Sequence, residues 1–227
     1  MFYFLIIAYR ILKRGKQRLN IIFSGFFISV SIGLIINMVY AVIENTAVVL
    51  VLNVLTNYFI FFGIVFLFIV NMIILESTLV FSVKRQNRYI VLYGIVLLVG
   101  MLTLVLIGII ETSCTGETLI GVEVKDGAPK WGIIFFTYVV FIITGFTIIP
   151  IIYTNLKIYF RFETKSLKRK WFCYLIGSFG MIIIFYFMCV NGLVADEGFR
   201  LIVGILGISV IIWVSLMYYG LGTRLKK

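Results

Sequence analysis

The sequence predicts an all-α membrane protein: a bundle of six full transmembrane helices with one short apolar helix at the N-terminus. Hydrophobic residues make up 63% of the 227 residues and charged residues only 13%, whereas a soluble domain carries roughly 25% charged residues. Six apolar stretches are each long enough to cross a hydrocarbon core about 30 Å thick. Their apolar residues run continuously instead of alternating, which predicts helices and excludes a β-barrel.

The whole chain, residues 1–227, is predicted to be one membrane domain of helices joined by short loops. Its six spans in chain order are 20–43, 47–75, 89–110, 131–153, 171–193 and 199–221. The longest connection is loop 111–130, between the third and fourth spans.

The first 19 residues combine a short apolar segment with a basic loop. Only nine residues precede Arg10, which is about 14 Å of helix at 1.5 Å per residue. Two interpretations stay open for this segment. It is either an amphipathic helix that lies on the inner membrane surface, or the cytoplasmic half of a seventh span whose outer half would precede Met1.

The charged residues alternate between basic and acidic loops, and this alternation orients the chain. Of the 20 Lys and Arg residues, 17 lie in one alternate set of loops and termini and three in the other. The positive-inside rule puts the basic set and the C-terminus in the cytoplasm, and loop 111–130 outside the cell membrane. The densest part of this basic inner face is Lys165, Lys168, Arg169 and Lys170.

The net charge of +11 is explained by these basic loops, which face anionic inner-leaflet lipid. The lipid bilayer is therefore the expected partner, and nucleic-acid binding is not expected. The chain has no histidine and no paired carboxylates within the spans, so we expect neither a metal site nor a proton relay. No nucleotide-binding or dinucleotide-binding motif occurs. We expect a protein without catalytic activity and without a cofactor.

The first long span carries a row of small or polar residues at every fourth position: Gly25, Ser29, Gly33 and Asn37. Residues four apart form one ridge of a helix, and small side chains on it let a second backbone come close. This row is a candidate helix-packing face. Its partner is either a neighbouring helix of the same bundle or the same face of a second copy in a homodimer.

The second and fourth spans carry polar residues that are not expected to face lipid. Asn53, Asn57 and Asn71 point in similar directions at 100° per residue, and Thr137 and Thr144 share a face of the fourth span. Two roles are open for them. They form hydrogen bonds to other helices, or they line a polar cavity that admits a small molecule.

Loop 111–130 is the candidate outer sensing element, with Glu117, Glu123 and Asp126 as its candidate residues. Its sequence alternates partly through TLIGVEV and continues with Lys-Asp-Gly, which is a turn signal. The pattern predicts a short hairpin or a lid over the mouth of the bundle.

Several positions resemble a known membrane module. Asn20-x-x-Phe23 opens the first long span, Gly-Ala-Pro-Lys-Trp closes the outer loop at 127–131, and Lys-Arg-Lys-Trp at 168–171 enters the fifth span. This arrangement resembles the seven-helix sensory region at the N-terminus of prokaryotic histidine kinases. The resemblance implies a receptor-like bundle with the N-terminus outside and the C-terminus inside. Without a histidine the chain has no phosphoacceptor, so a signal would pass to a separate protein.

Three functions are consistent with these features. The first is a non-catalytic sensor that signals through a cytoplasmic partner. The second is a small-molecule transporter or channel with a polar path lined by asparagines, and the third is a membrane scaffold. No motif in the chain specifies a ligand.

Overall fold

The computed structural model describes residues 1–115, 119–125, 128–194 and 196–222, without the side chains of 77–79, 114, 115, 125 and 222. Its elements in chain order are α1 Phe2–Leu12, α2 Arg18–Tyr40, α3 Thr46–Val80, α4 Val83–Thr115, β1 Val122–Lys125, β2 Ala128–Trp131, α5 Ile133–Ile143, a π-helical turn Thr144–Ile148, α6 Ile149–Arg161, α7 Lys165–Val194 and α8 Glu197–Gly222.

Within the described residues, six helices are long and apolar enough to cross a membrane. They are α2, α3, α4, α7, α8 and one continuous span, Ile133–Arg161, that joins α5, the π-helical turn and α6. The predicted class of an all-α bundle with a short N-terminal helix is confirmed. Such a set of helices fits a multi-pass membrane protein.

The two ends of the bundle differ in their connections. At one end, which we call the basic end, lie the turns before α2, α4 and α7 together with the end of α8. At the other, which we call the hairpin end, lie the antiparallel strands β1 and β2. Side chains tie helices together at the basic end, since Arg18 donates to Gln86 Oε1 (3.1 Å) and Arg161 to the Leu75 carbonyl oxygen (2.9 Å).

Helix α1 runs antiparallel to α2 along the half of the bundle nearest the basic end. Gly15 makes the turn between them at φ 142°, a backbone conformation that favours glycine. The ring of Phe4 lies 6.1 Å from that of Phe27, which is nine residues, or about 14 Å, along α2. Because Phe4 and Ile7 are buried in the bundle, α1 packs inside the bundle and does not lie on the membrane surface.

The predicted packing face of α2 lies against α3 over its first three residues. A Cβ atom on Gly25 would contact the Phe66 ring at 3.2 Å. The Ser29 hydroxyl donates to the Phe59 carbonyl oxygen at 2.6 Å. Gly33 lies directly against the α3 backbone. A helix of the same chain therefore covers this ridge, which is the first of the two partners considered for it.

A second glycine interface joins α7 to α8, and the sequence interpretation did not include it. A Cβ atom on Gly177 would lie 2.6 Å from the Trp213 carbonyl oxygen, and one on Gly220 would lie 2.6 Å from that of Lys170. Both distances are shorter than a carbon atom tolerates. Close backbone contact of this kind is what holds helices together in lipid, where there is little hydrophobic drive to associate.

Aromatic side chains fill the bundle near the basic end. Phe23 is 5.1 Å from Phe27 and 6.2 Å from Tyr174, ring centroid to ring centroid, and Tyr174 is 4.7 Å from Trp171. These four side chains are at most 3% exposed. Packing at interior density leaves little free space between such rings, so this half of the bundle is closed.

Candidate ligand cavity

A cavity of about 770 Å³ lies in the other half of the bundle, between α2 and α3 on one side and α7 and α8 on the other. Each helix contributes residues three or four positions apart, which is the spacing of one helix face. On α3, for example, these are Asn53, Thr56, Asn57 and Ile60. The volume falls within the roughly 300–1,000 Å³ of small-molecule sites in proteins.

The floor of the cavity is the N-terminal end of α1. Tyr3 and Phe4 line it, and the packed aromatic residues lie beyond them towards the basic end. The position of α1 sets the depth of this floor. Between α2 and α8 this helix fills the half of the bundle near the basic end, and it leaves the half near the hairpin end unfilled.

The roof of the cavity is strand β2, which contributes Ala128, Pro129 and Trp131 to the lining. Trp131 is 3% exposed, and its ring packs against Phe135 with the centroids 5.0 Å apart. Gly192 of α7 gives the ring its space, since a Cβ atom there would lie 2.6 Å from it. The strand is therefore firmly seated on the bundle.

The hairpin that supplies this roof occupies the predicted sensing loop. Val122 pairs with Trp131 and Glu123 with Lys130 across the two strands. The Glu123 carboxylate also forms an ion pair with the Lys130 ammonium at 3.7 Å, and Glu123 does not line the cavity. The other two residues predicted for this loop, Glu117 and Asp126, lie outside the described residues.

One wall of the cavity is polar and is held by hydrogen bonds between its own side chains. Asn57 Nδ2 donates to the backbone oxygen of Asn53 at 2.8 Å and to its Oδ1 at 3.2 Å. Asn53 Nδ2 donates in turn to the Tyr40 hydroxyl at 3.3 Å. The chain of bonds orients both amides along the wall, where they can also bond a bound molecule.

Two lining residues have side-chain oxygens without a hydrogen-bond partner. They are Thr56 Oγ1 on α3 and Asn191 Oδ1 on α7, and both atoms are buried. Buried polar atoms in native proteins almost always have a hydrogen-bond partner. A buried polar atom without a hydrogen bond costs about 1–3 kcal/mol of stability. Their position in the cavity wall points to a molecule with polar groups as the missing partner.

The described lining of the cavity carries one charged side chain. Arg200, in the first turn of α8, contributes the one charged side chain among the described lining residues, and no Asp or Glu stands among them. Arginine binds carboxylate and phosphate groups through two parallel N–H donors. Arg200 thus gives the cavity a donor that suits an anionic group.

The five residues predicted for a polar cavity are divided between different surroundings. Asn53 and Asn57 line the cavity, and the other three do not. Asn71 is completely buried and bonds to the Thr154 hydroxyl at 3.1 Å. Thr137 donates within its own helix to the Ile133 carbonyl oxygen at 2.7 Å.

Thr144 lies at the start of the π-helical turn, 2.7 Å from the hydroxyl of Tyr186 on α7. The turn directly precedes Pro150, which has no N–H to offer a carbonyl four residues back. Proline and π-bulges both interrupt the regular hydrogen bonding of a helix. Thr144 therefore joins two helices instead of facing the cavity.

Asn37 ends the packing face and turns out to have a different environment from its other members. It is exposed and lines the cavity, as do Leu34 and Ala41 on the same side of α2. The ridge that begins as a helix contact at Gly25 thus ends at the mouth of the cavity.

The predicted basic inner face lies at the start of α7, at the opposite end of the bundle from the cavity roof. Lys165 and Arg169 are exposed, and Lys168 and Lys170 are half-buried. The Lys168 ammonium lies 4.9 Å from the centroid of the Tyr159 ring, a cation–π contact. The exposed members of the face can contact lipid head groups or a protein.

Several cavity residues were missed by the sequence interpretation. Thr56 lies three residues from Asn53 and one from Asn57, so helical spacing alone would have added it to the polar row. Arg200 was counted only as a loop charge. No sequence pattern marked Tyr3, because its place in the cavity depends on how α1 folds back along α2. Among the described residues no three His, Cys, Asp or Glu side chains come together as metal ligands.

Comparison with known proteins gives no match: no protein-family model, no curated protein and no solved structure is significantly similar to the chain.

Proposed function

We propose that the chain is a non-catalytic, receptor-like membrane protein that binds a small molecule in the cavity and signals to a cytoplasmic partner at its basic end. The observation that carries the proposal is the cavity itself. It has the volume of a ligand site, two lining oxygens that lack a partner, and a floor of packed side chains in place of a passage. A partly polar cavity that does not continue to the basic end suits recognition of a molecule.

The proposed orientation has the hairpin end outside the cell and the basic end in the cytoplasm. It rests on the asymmetry of Lys and Arg between the two sets of loops. The likeness to the sensory region of prokaryotic histidine kinases supports the same orientation. In this arrangement the cavity lies in the outer half of the bundle, and Lys165 and Arg169 are available to a partner inside.

Helix α1 offers a physical link between the cavity and the basic end. Its first turn forms the cavity floor, where the Tyr3 hydroxyl lies 2.6 Å from the Ser215 hydroxyl of α8. Two residues beyond the other end of the same helix, Arg14 stacks over the Tyr218 ring, 4.6 Å from its centroid, and donates a hydrogen bond to its hydroxyl. A ligand that displaces the floor would shift α1 against α8, and this shift would reach the basic end.

The proposal is tested by photo-crosslinking in cells. A photoreactive amino acid replaces the exposed Arg169, and the crosslinked protein is identified in the otherwise unchanged chain and in a variant with Gly204→Phe. Gly204 lines the cavity and has no atom within 4 Å of the position of a Cβ, so the phenyl ring would occupy the cavity as a ligand does. We expect one discrete crosslinked protein whose yield changes at least threefold on this substitution.

The matched control is Ile205→Phe, on the neighbouring residue of α8, which is 59% exposed and does not line the cavity. It should leave the crosslinking yield unchanged. A yield that is the same in the two variants and in the unaltered chain would contradict the proposed function, since the cavity would then have no influence on the basic end.

A transporter or channel is the second candidate, because the amides of Asn53 and Asn57 do line the cavity. A channel would need a continuous path, and the aromatic residues near the basic end close that path. Osmotic swelling of proteoliposomes with glycerol, urea or alanine distinguishes the two functions. We expect rates equal to those of protein-free vesicles. Faster swelling that Asn57→Leu abolishes would favour the second candidate.

A further inference from the structure

The residues that line the cavity differ in how exposed they are from one helix to the next. The lining residues of α3 are all buried, and so are those of α7 at mid-bundle depth, such as Met181 at 1% and Phe185 at 2%. The residues of α2 and α8 include exposed ones, among them Asn37, Gly204 and Gly207. The cavity therefore opens sideways, along the seam between α2 and α8.

Two glycines widen this seam on the α8 side. Gly204 and Gly207 each have no atom within 4 Å of the position that a Cβ would take. They differ from Gly177 on α7, where a Cβ would clash with the backbone of α8. In this part of α8 the glycines do not serve helix packing; they leave an opening, which we call the lateral gap.

The lateral gap lies at membrane depth. Gly207 is ten residues from the start of α8 at Glu197, which is about 15 Å along the helix and about half of a hydrocarbon core roughly 30 Å thick. Exposed side chains next to it on α8, such as Ile208 at 70%, are apolar and suited to lipid. What meets the gap from outside is hydrocarbon and not water.

The lining of the cavity is polar near the hairpin end and more apolar further in. A lipid leaflet changes in the same way, from polar head groups to hydrocarbon chains. Near the hairpin end its lining carries Tyr40, Asn53 and the cationic Arg200. Further towards the floor the lining is mostly apolar, with Val30 and Phe185 among its buried members. A polar solute would satisfy only the first part, whereas a hydrocarbon chain is favoured in the second by burial of apolar surface.

We propose that the ligand of the cavity is a single-chain amphiphile with an anionic head group, which reaches the cavity from the bilayer through the lateral gap. Its head group pairs with Arg200 and the nearby amides, and its chain lies against the apolar lining. The cavity of about 770 Å³ has room for one such chain and not for a whole two-chain phospholipid. This inference rests on the proposed function, because it names the ligand class of the same site.

The test uses the full chain in lipid nanodiscs and a palmitic acid probe that carries a photoreactive diazirine in its chain. We expect the probe to label peptides of the buried α7 wall near Met181, which annular lipid does not reach. Excess unlabelled palmitate should lower this labelling at least tenfold. A second arm uses phosphatidylglycerol with the same diazirine chain, which should label only lipid-facing surfaces.

Two variants narrow the gap from opposite sides. Gly207→Trp should lower labelling of the α7 wall about tenfold, and Leu34→Trp on α2 should do the same. Ile208→Trp, on the exposed side of α8, is the control and should change nothing. Because the two substitutions are on different helices, a folding defect in one of them, seen as loss of a monodisperse chromatography peak, leaves the other to decide.

The head group is tested by Arg200→Gln. A hydrogen bond to a charged group is stronger than one to a neutral group. We expect the palmitate concentration needed for half-maximal competition to rise about tenfold. Competition by hexadecanol, which has the same chain and no charge, should be unchanged.

Several outcomes would overturn the inference. They are labelling of the α7 wall that survives both gap substitutions, labelling of that wall by the phospholipid probe, and no labelling of it by either probe.

The experiments distinguish failure of this inference from failure of the proposed function. If Gly204→Phe changes the crosslink at residue 169 while no acyl probe enters, the receptor function stands and the ligand class falls. If the probe enters while that crosslink is insensitive to the cavity, the binding site stands and the receptor function falls.

Discussion

Gly33 of α2 lies against Ile60 of α3 with no space between them for a side chain. A Cβ atom on Gly33 would be 2.7 Å from Ile60 Cγ1 and 2.8 Å from the carbonyl oxygen of Thr56. The side chain of Ile60 could rotate away, but the carbonyl belongs to the backbone and cannot move without separating the two helices. This contact also places Thr56 and Ile60 in the cavity wall, so helix packing and the candidate site depend on one glycine.

Gly33→Ala should therefore destabilise the bundle. Overpacking of a tight contact typically costs about 1–3 kcal/mol, and we expect a loss of that size in the free energy of unfolding. The measurement is a denaturation curve in mixed micelles titrated with sodium dodecyl sulfate. Gly204→Ala is the control, because a Cβ there meets no atom within 4 Å. Equal stability of Gly33→Ala and the unaltered protein would show that α2 and α3 are not packed at this distance.

The link between α1 and α8 gives a second prediction. Ser215 donates to the Ile211 carbonyl oxygen at 2.6 Å, so Tyr3 is the donor in the 2.6 Å bond between the two hydroxyls. Tyr3→Phe and Ser215→Ala should each lower stability by about 0.5–1.5 kcal/mol.

A double-mutant cycle isolates the energy of this pair, and we expect the two losses to be less than additive in the double variant. Tyr9→Phe, at a residue that is 64% exposed, is the control for loss of a hydroxyl on α1. Fully additive losses would argue against contact between the two side chains.

Replacing Asn71 and replacing Asn57 of α3 should lower the stability of the protein by very different amounts. Asn71 accepts from the Tyr174 hydroxyl at 3.1 Å and donates to the Thr154 hydroxyl at 3.1 Å. Asn71→Leu would leave the buried Tyr174 hydroxyl of α7 without its acceptor, at a cost of about 1–3 kcal/mol. The Thr154 hydroxyl would keep its own bond to the Pro150 carbonyl oxygen. Asn57→Leu removes bonds within α3 only and should change stability by less than half of that.

The same unfolding assay measures both variants. If both substitutions lower the free energy of unfolding equally, Asn71 is not the structural residue and Asn57 not the cavity residue that we infer.

The orientation of the chain is tested by labelling with a membrane-impermeant maleimide. Cys114, Cys173 and Cys189 are first replaced by alanine, and single cysteines are then introduced by Lys130→Cys in the hairpin and Lys165→Cys at the basic end. We expect residue 130 to react in intact cells and residue 165 only after permeabilisation, because basic loops are retained in the cytoplasm. Reaction of both positions in intact cells would reject the orientation on which the proposed partner depends.

The hairpin and the row of asparagines show how far sequence reasoning reached. Partial alternation and a turn signal predicted the hairpin, since both are local patterns and strand pairing across a short turn needs little else. The same reasoning grouped Asn53 with Asn71 because they point in one direction. Direction around a helix is not position along it: the two residues are 18 positions apart, about 27 Å, and they lie in opposite halves of the bundle.

By itself the sequence determined the class of the protein, its spans, its short first helix and the glycine ridge of α2. Each of these follows from local hydrophobicity or helical spacing, which are properties of neighbouring residues. Only the tertiary structure decided that Gly25, Ser29 and Gly33 contact α3. It also decided that Asn57 and Arg200 line one cavity. The physical reason is that a cavity is space left between packed elements. This one lies between α2 and α8 next to the half of the bundle that α1 fills, and no stretch of residues encodes that on its own.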